Sequence, residues 1–209
     1  QGGVGIIHRN LTVEQQAAEV KAVKDAGQMV GAAVGSSAGY ESRVEALVAA
    51  GVDFILVDSA HGYAKKVIDT VAFIKKTYKV EVMAGNIATA EGAQALIDAG
   101  ADSLRVGMGP GAICSTRIVS GMGVPQLSAL LDIKDVARKA GVPVVADGGL
   151  INSGDALKAL AAGASTVMMG RMFAATEESP GEVTRFKADQ VPSRFRSILD
   201  GSDEYVFKS

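Results

Sequence analysis

The chain contains a single cysteine, Cys114, inside the run Leu104-Arg105-Val106-Gly107-Met108-Gly109-Pro110-Gly111-Ala112-Ile113-Cys114-Ser115-Thr116-Arg117. A thiol on a loop is open to substrates in a way that a thiol packed on an apolar helix face is not. Gly107, Gly109 and Gly111 let the backbone turn tightly and approach a ligand or ion with no Cβ in the way. The G-x-G-x-G spacing is not the dinucleotide fingerprint, because the third glycine comes one residue early and no helix pattern follows directly. Thr116 carries a hydroxyl that could relay a proton or orient a water, and Arg117 adds positive potential that favours thiolate. Such a set can do nucleophilic catalysis. The alternative is a structural loop around an inert cysteine that behaves as a small hydrophobe.

A second set comprises Asp147-Gly148-Gly149 and Met169-Gly170-Arg171, each just before a helix pattern. Glycine turns at helix N-termini can hold a phosphate on backbone N–H groups, leaving Asp147 to accept hydrogen bonds from ribose hydroxyls. They can also be ordinary turns. Asp58, in Val-Asp-Ser-Ala-His-Gly, ends another apolar run, and Asn86 follows a further one. His8 either edges the same cavity or is structural. His61 has no cysteine or carboxylate at ligand spacing, so a zinc site is not expected.

These groups need a scaffold. Short Val/Ile/Leu/Met-rich runs occupy Val4–His8, Met29–Val34, Phe54–Asp58, Val80–Ala84, Ser103–Met108, Val142–Asp147 and Thr166–Gly170. Near-continuous apolarity is expected of parallel strands covered on both faces. Helical periodicity lies between them, over Ala17 to Val23 behind a Thr12/Gln15 capping box, Glu41–Ala50, Ala90–Ala99, Asp132–Ala140 and Gly154–Ala162. An Ala-Gly step followed by a small or apolar residue recurs at Ala50-Gly51, Ala99-Gly100, Ala140-Gly141 and Ala162-Gly163, each between a helix pattern and a strand pattern. Glycine there suits a left-handed C-cap. Repeated strand–helix–glycine units predict a (β/α) barrel or a doubly wound sheet. In both, functional groups gather at the carboxyl ends of the strands, where five of these runs end in polar or glycine-rich clusters.

Composition narrows the classes. The 209 residues, 48% of them hydrophobic, suit one large domain with a sizeable core. A net charge of -2 gives no electrostatic argument for nucleic acid or an anionic membrane as partner. No apolar run approaches the length of a membrane span. One cysteine makes no intrachain disulfide, which points to a reducing, cytoplasmic compartment.

Six ordered motifs carry a resemblance: GGVGIIHRN from Gly2, VDSAHG around Asp58, AGNIAT around Asn86, LRVGMGPGAICSTR around Cys114, VVADGG around Asp147 and STVMMG ending at Gly170, with GMGVPQ after the cysteine also fitting. From Gly2 to about Glu182 the chain resembles the catalytic domain of the IMP dehydrogenase and GMP reductase family. The resemblance implies a (β/α)8 TIM barrel working as a homotetramer; only seven strand runs are visible, so the first strand is unaccounted for. It implies residues 1–182 as the catalytic barrel and 183–209 as a poorly matched flap and C-terminal segment, read as loop or partly ordered chain. It implies that Cys114 attacks C2 of IMP, that hydride passes to NAD, and that water hydrolyses the covalent intermediate to XMP. By the same resemblance Asp58, Ser59, Arg105 and Gly107 approach the nicotinamide nucleotide. Asn86 lies near the reacting centre, Asp147 holds the ribose, Gly149 and Gly170 serve the phosphate, and Thr116 joins the water-activating group. Carbonyls of Gly109, Gly111 and Cys114 bind a potassium ion.

The sequence departs from the family in places. Ala112 stands where the family usually has a serine that contacts phosphate, and Arg171 replaces a commonly small residue and could supply a phosphate charge instead. The regulatory CBS modules often inserted near Gly27–Met29, the Arg-Tyr pair of the flap after Glu182, and the C-terminal residues that complete the cation site have no match. The dehydrogenase is favoured over the reductase by DSAHG and by TRIVSGMGVPQ, while PQLSA leans the other way. A non-catalytic nucleotide-binding barrel is the alternative from another class. A phosphate-sugar barrel enzyme of another pathway gives Cys114 no role.

Overall fold

The computed structural model describes residues 2–180, 183–191 and 204–208. It divides into one unit over Gln1–Met168 and a second over Met169–Ser209.

The first unit is a parallel sheet in sequential order, β1 (Gly5–Ile7), β2 (Val30–Val34), β3 (Phe54–Asp58), β4 (Glu81–Ile87), β5 (Ser103–Val106), β6 (Val144–Asp147) and β7 (Thr166–Met168). Every pairing between neighbours is parallel. The curled seven-stranded sheet is a partial (β/α)8 barrel. Its helices are α1 (Val13–Asp25), α2 (Tyr40–Ala49), α3 (Lys65–Thr77), α4 (Ala90–Asp98), α5 (Thr116–Ser120), α6 (Gln126–Ala140) and α7 (Ser153–Ala161). The Thr12 capping box forms as its sequence predicts, with the Thr12 side chain accepting from Gln15 N–H and the Gln15 side chain accepting from Thr12 N–H. Helix α3 was not singled out by the apolar runs, because lysines interrupt it; Val67, Val71 and Ile74 nonetheless recur on one buried face. Helix α6 starts six residues earlier than expected, at Gln126 directly after Pro125, a residue that initiates helices readily.

The two faces of the sheet differ in chemistry. Val30, Ala32, Val34, Ile55, Val57, Val82, Ala84, Leu104 and Val106 alternate along the strands and pack with Val20, Leu47, Ile74, Leu96 and Ile133 of the helices in one apolar core. The intervening residues form the other face. It combines small and large side chains: a Cβ on Gly31 would collide with the Phe54 ring, and one on Gly85 would meet the Arg105 backbone at 2.4 Å. Period-2 alternation places Asp58 beyond Phe54 and Leu56, Arg105 beyond Ser103, and Asp147 beyond Val145 on this second face.

The second unit contains α8 (Arg171–Ala174), β8 (Val183–Lys187) and β9 (Glu204–Lys208). The last two pair antiparallel, from Val183↔Lys208 to Lys187↔Glu204. The sequence reading of this segment as loop is corrected over these two stretches. Both stretches are rich in β-branched and aromatic residues, which suit a strand, and the charges among them hide the pattern. Arg194, Arg196 and residues 200–203 of the acidic stretch lie outside the described residues.

Candidate active site

Four neighbouring strands, β3 to β6, supply a linked set of polar side chains at their carboxyl ends. Arg105, the third residue of β5, is only 10% exposed at its side chain. One of its terminal nitrogens pairs with Asp58 Oδ1 and its Nε donates to Asn86 Oδ1. Nε also lies 3.6 Å from Asp147 Oδ2, and the other terminal nitrogen contacts the Met168 sulfur at 3.9 Å. Asn86 Nδ2 donates to Asp147 Oδ2 at 2.9 Å and to the Gly107 carbonyl at 2.6 Å. Asp58 Oδ2 accepts from Arg9 Nε at 3.1 Å. A guanidinium this buried needs such partners, because an unpaired charge out of water is costly.

The position of Asn86 has a local cause. The sequence reading put it after a strand; the structure puts it inside β4, where the register against β5 skips from Gly85↔Arg105 to Ile87↔Val106. The irregularity leaves Asn86 unpaired in the ladder and turns its amide toward Gly107 and Asp147. Ser59 continues the line of β3, its N–H donating to the Gly85 carbonyl and its carbonyl accepting from Asn86 N–H. Its hydroxyl oxygen accepts from His61 N–H at 3.1 Å.

The cysteine loop follows β5. Cys114 is half-buried, and its N–H donates to the Gly111 carbonyl at 3.0 Å. Its Sγ donates to Thr116 Oγ1 at 3.3 Å, so the hydroxyl expected to handle a proton is the thiol's acceptor. The loop lies directly on the turn after β6: a Cβ added at Gly148 would meet Gly111 N at 2.9 Å, and one at Gly149 would meet Pro110 Cβ at 3.1 Å. Gly148 and Gly149 have φ of 80° and 74°, and two successive left-handed residues call for glycine. Gly107 has φ 149°, and a Cβ there would strike the Asp147 carbonyl at 2.2 Å. The sequence thus brings Asp58, Arg105, Asn86, Gly107 and Asp147 into one cluster, and the Cys114 loop into contact with the Gly148–Gly149 turn. Gly170 and Arg171 lie in the second unit, at the start of α8.

Arg117 is anchored by two carbonyls. Its Nε donates to the Met108 carbonyl at 3.1 Å and its Nη2 to the Val124 carbonyl at 2.6 Å. It fastens the glycine loop to the segment after α5. Three further residues were not singled out: Arg9, Met168 and Gln126. Gln126 Nε2 donates to the carbonyls of Val106 at 2.8 Å and Asp147 at 3.3 Å, holding two strand ends together. Its Oε1 is buried without a partner among the described residues. Arg9 and Gln126 both stand inside the motifs GGVGIIHRN and GMGVPQ, which was the available signal. His8 is structural in one respect, its Nδ1 accepting from Asn10 N–H. His61 lines a largely apolar cleft of about 330 Å³ with Tyr63, Ile87, Met108 and Met122.

The end of α7 nearest this turn carries its own charge. Asn152 caps it by accepting from Asp155 N–H, and the Asp155 carboxylate accepts from Ile151 N–H. That backbone hydrogen bond, with Lys158 nearby, holds the Asp155 pKa below its ordinary value. The positive end of α7 is therefore already matched by a carboxylate.

Fold and cluster define a class: a parallel β/α barrel with a thiol loop and a buried charge network at the carboxyl ends of its strands. A protein-family model described as "IMP dehydrogenase / GMP reductase domain" matches residues 1–196. The inosine-5'-monophosphate dehydrogenase of Aquifex aeolicus is 57% identical over 159 residues, covering 76% of this chain and 32% of that protein. Those of Haemophilus influenzae and Escherichia coli K12 are 50% and 53% identical over 186 residues, covering 86% of this chain and 38% of each. The chain belongs to the IMP dehydrogenase / GMP reductase family. It spans about a third of the length of the curated relatives it matches. No helix among the described residues is long and apolar enough to cross a membrane.

Proposed function

We propose that this protein oxidises IMP to XMP with NAD in guanine nucleotide biosynthesis, through a covalent bond between Cys114 and C2 of the purine. The observation that carries the reading is the half-buried Cys114 thiol, bonded to Thr116 Oγ1 on a glycine loop that lies against the Gly148–Gly149 turn. The sulfur forms a bond to C2, and the hydrogen on C2 departs with its electron pair. NAD, when bound, supplies the acceptor for that hydride. Water then adds at C2, the C–S bond breaks, and XMP leaves with the thiol restored. Thr116 Oγ1 accepts the thiol hydrogen bond and can only relay the proton, taking it from Sγ as its own hydroxyl proton passes to water.

The remaining residues orient and bind. Asn86 has its amide engaged with Arg105, Gly107 and Asp147, so it is a positioning residue for the last two. Asp147 commits Oδ2 to Asn86, leaving Oδ1 to accept from ribose hydroxyls. Gly149 offers its backbone N–H to the phosphate from the turn against the cysteine loop. Asp58 has both oxygens paired with arginines, so it brings no free negative charge to a dinucleotide, and Ser59, Arg105 and Gly107 are its neighbours at that subsite. A donor set made of the Gly109, Gly111 and Cys114 carbonyls, without carboxylates, fits potassium better than a divalent ion, although the Gly111 carbonyl already accepts one hydrogen bond. The reading also includes a cytoplasmic homotetramer; exposed Ile118 and Val119 on α5 and Leu127 and Leu131 on α6 support burial against another subunit.

The test is a paired assay of IMP with NAD and GMP with NADPH. IMP-dependent NADH formation is expected, and Cys114→Ser should lower it by about 10³-fold or more while IMP still binds. Turnover of GMP alone would overturn the proposal.

A further inference from the structure

The Ala-Gly steps that end α2, α4 and α7 place a polar residue two positions past the glycine: Asp53, Asp102 and Ser165. Each starts an odd-numbered strand from its amino end, opposite to the cysteine loop. The backbone is the same in all three. Asp53 N–H donates to the Val30 carbonyl at 3.0 Å, Asp102 N–H to Val82 at 2.8 Å and Ser165 N–H to Val144 at 2.7 Å.

The side chains are not the same. Asp53 accepts from Val30 N–H and Asp102 from Val82 N–H, both at 2.7 Å. Each carboxylate also pairs at 2.7 Å with a lysine from the last turn of the preceding odd-numbered helix, Lys24 or Lys75. In the third repeat the Ser165 hydroxyl takes the Val144 N–H at a longer 3.3 Å. The lysine's place belongs to Arg138, three residues before the C-cap Gly141 as Lys24 is before Gly27. Arg138 has no carboxylate across the strands. It turns back to Asp135 on its own helix, 83% exposed. A groove of about 610 Å³ remains, lined by Lys134, Arg138, Val144, Gly163 and Ser165, with Asp135 also on its wall. It holds two cations against one carboxylate. The Ser165 hydroxyl, accepting from Val144, still has its proton to donate.

We propose that this groove binds a small oxyanion, a phosphate or a carboxylate, whose oxygens sit beside the Ser165 hydroxyl and face Arg138 as the carboxylates of Asp53 and Asp102 face their lysines in the other two repeats. Arg138 leaves Asp135 to bind it, Lys134 adds a second positive charge, and Ser165 donates its hydroxyl. The site lies at the amino ends of β6 and β7, so it is independent of the function proposed for the cysteine loop.

Titration of the ¹⁵N-labelled protein with inorganic phosphate, followed by amide shifts, tests this. Saturable shifts at Val144, Gly163 and Ser165 are expected, and a parallel titration with acetate tells which oxyanion shape is preferred. In the double variant Lys134→Gln/Arg138→Gln the affinity should fall by about tenfold or more. Ser165→Asp, which supplies the carboxylate internally, should raise the melting temperature and abolish the shifts at Val144 and Gly163. Absence of saturable shifts at these amides, shifts confined to Gly148 and Gly149, or equal affinity in the double variant would overturn the proposal.

Discussion

At the carboxyl ends of the strands Arg105 joins Asp58, Asn86 and Asp147 into one connected network, whereas at the amino ends Lys24–Asp53 and Lys75–Asp102 are separate pairs that each tie one helix to one strand start. The first arrangement buries its cation and shares it among several elements. The second leaves all four side chains partly exposed, with a carboxylate doing two jobs, pairing with lysine and capping a valine N–H. Buried, shared charges fix geometry and are costly to disrupt; exposed local pairs stiffen the scaffold at modest gain. The difference is the one expected of a barrel whose chemistry sits at one end and whose stability depends on the other.

The largest effect should come from the network. Arg105→Met removes the cation and leaves Asp58 and Asp147 facing each other's field, and denaturant unfolding should record a loss of about 2–4 kcal/mol. Arg9→Gln removes only the outer, half-exposed partner of Asp58 and should cost about 1 kcal/mol or less. Equal losses in the two variants would erase the distinction between a shared and a peripheral cation.

Asp53→Asn probes the other end. It weakens the bond to Lys24 and to Val30 N–H, for an expected loss of about 1–2 kcal/mol at neutral pH. The Lys24 hydrogen bond, then that of Val30, hold the Asp53 pKa below its ordinary 3.8. Its folded value is depressed, so its contribution is complete above 3.8 and disappears as pH falls through the lower folded value. Melting curves of wild type and variant should therefore converge in that acid window.

The smallest effect concerns Glu81, whose pKa is raised above 4.5 by its hydrogen bond and charge contact with Asp102. Folding favours its protonated form, so that contribution is present below 4.5 and is lost as pH rises through the higher folded value. Glu81→Gln should stabilise the protein at neutral pH by a few tenths of a kcal/mol, solvent screening keeping the gain small, and should have no effect in acid. A destabilised Gln variant at neutral pH would show that the Lys75–Asp102 pair needs the second carboxylate.

Much of this architecture was legible in the sequence, for identifiable reasons. The β2, β3 and β6 runs are apolar on both faces up to the carboxylates that end β3 and β6, and that pattern survives any detail of packing. The Thr12 box and the Ala-Gly C-caps are local rules that tertiary contacts did not override. Asp58 and Asp147 were readable because each ends an apolar run with a carboxylate. Asn86 was misplaced by a strand end because a register irregularity has no signature in one chain. The carbonyl partners of Arg117 have no local signal, because a long side chain's partners depend on which carbonyls the fold leaves within reach. The partners of Arg105 stand on β3, β4, β6 and β7, which only the curl of the sheet brings together. The Lys24–Asp53 and Lys75–Asp102 pairs span 29 and 27 residues, beyond any local pattern.

A covalent bond between Cys114 Sγ and C2 of the purine can be trapped chemically. Incubation with an IMP analogue bearing a leaving group at C2, followed by peptide mass spectrometry, should find one nucleotide attached at Cys114, with labelling blocked by excess IMP. An unlabelled Cys114 despite bound analogue, or attachment at another residue, would contradict the account.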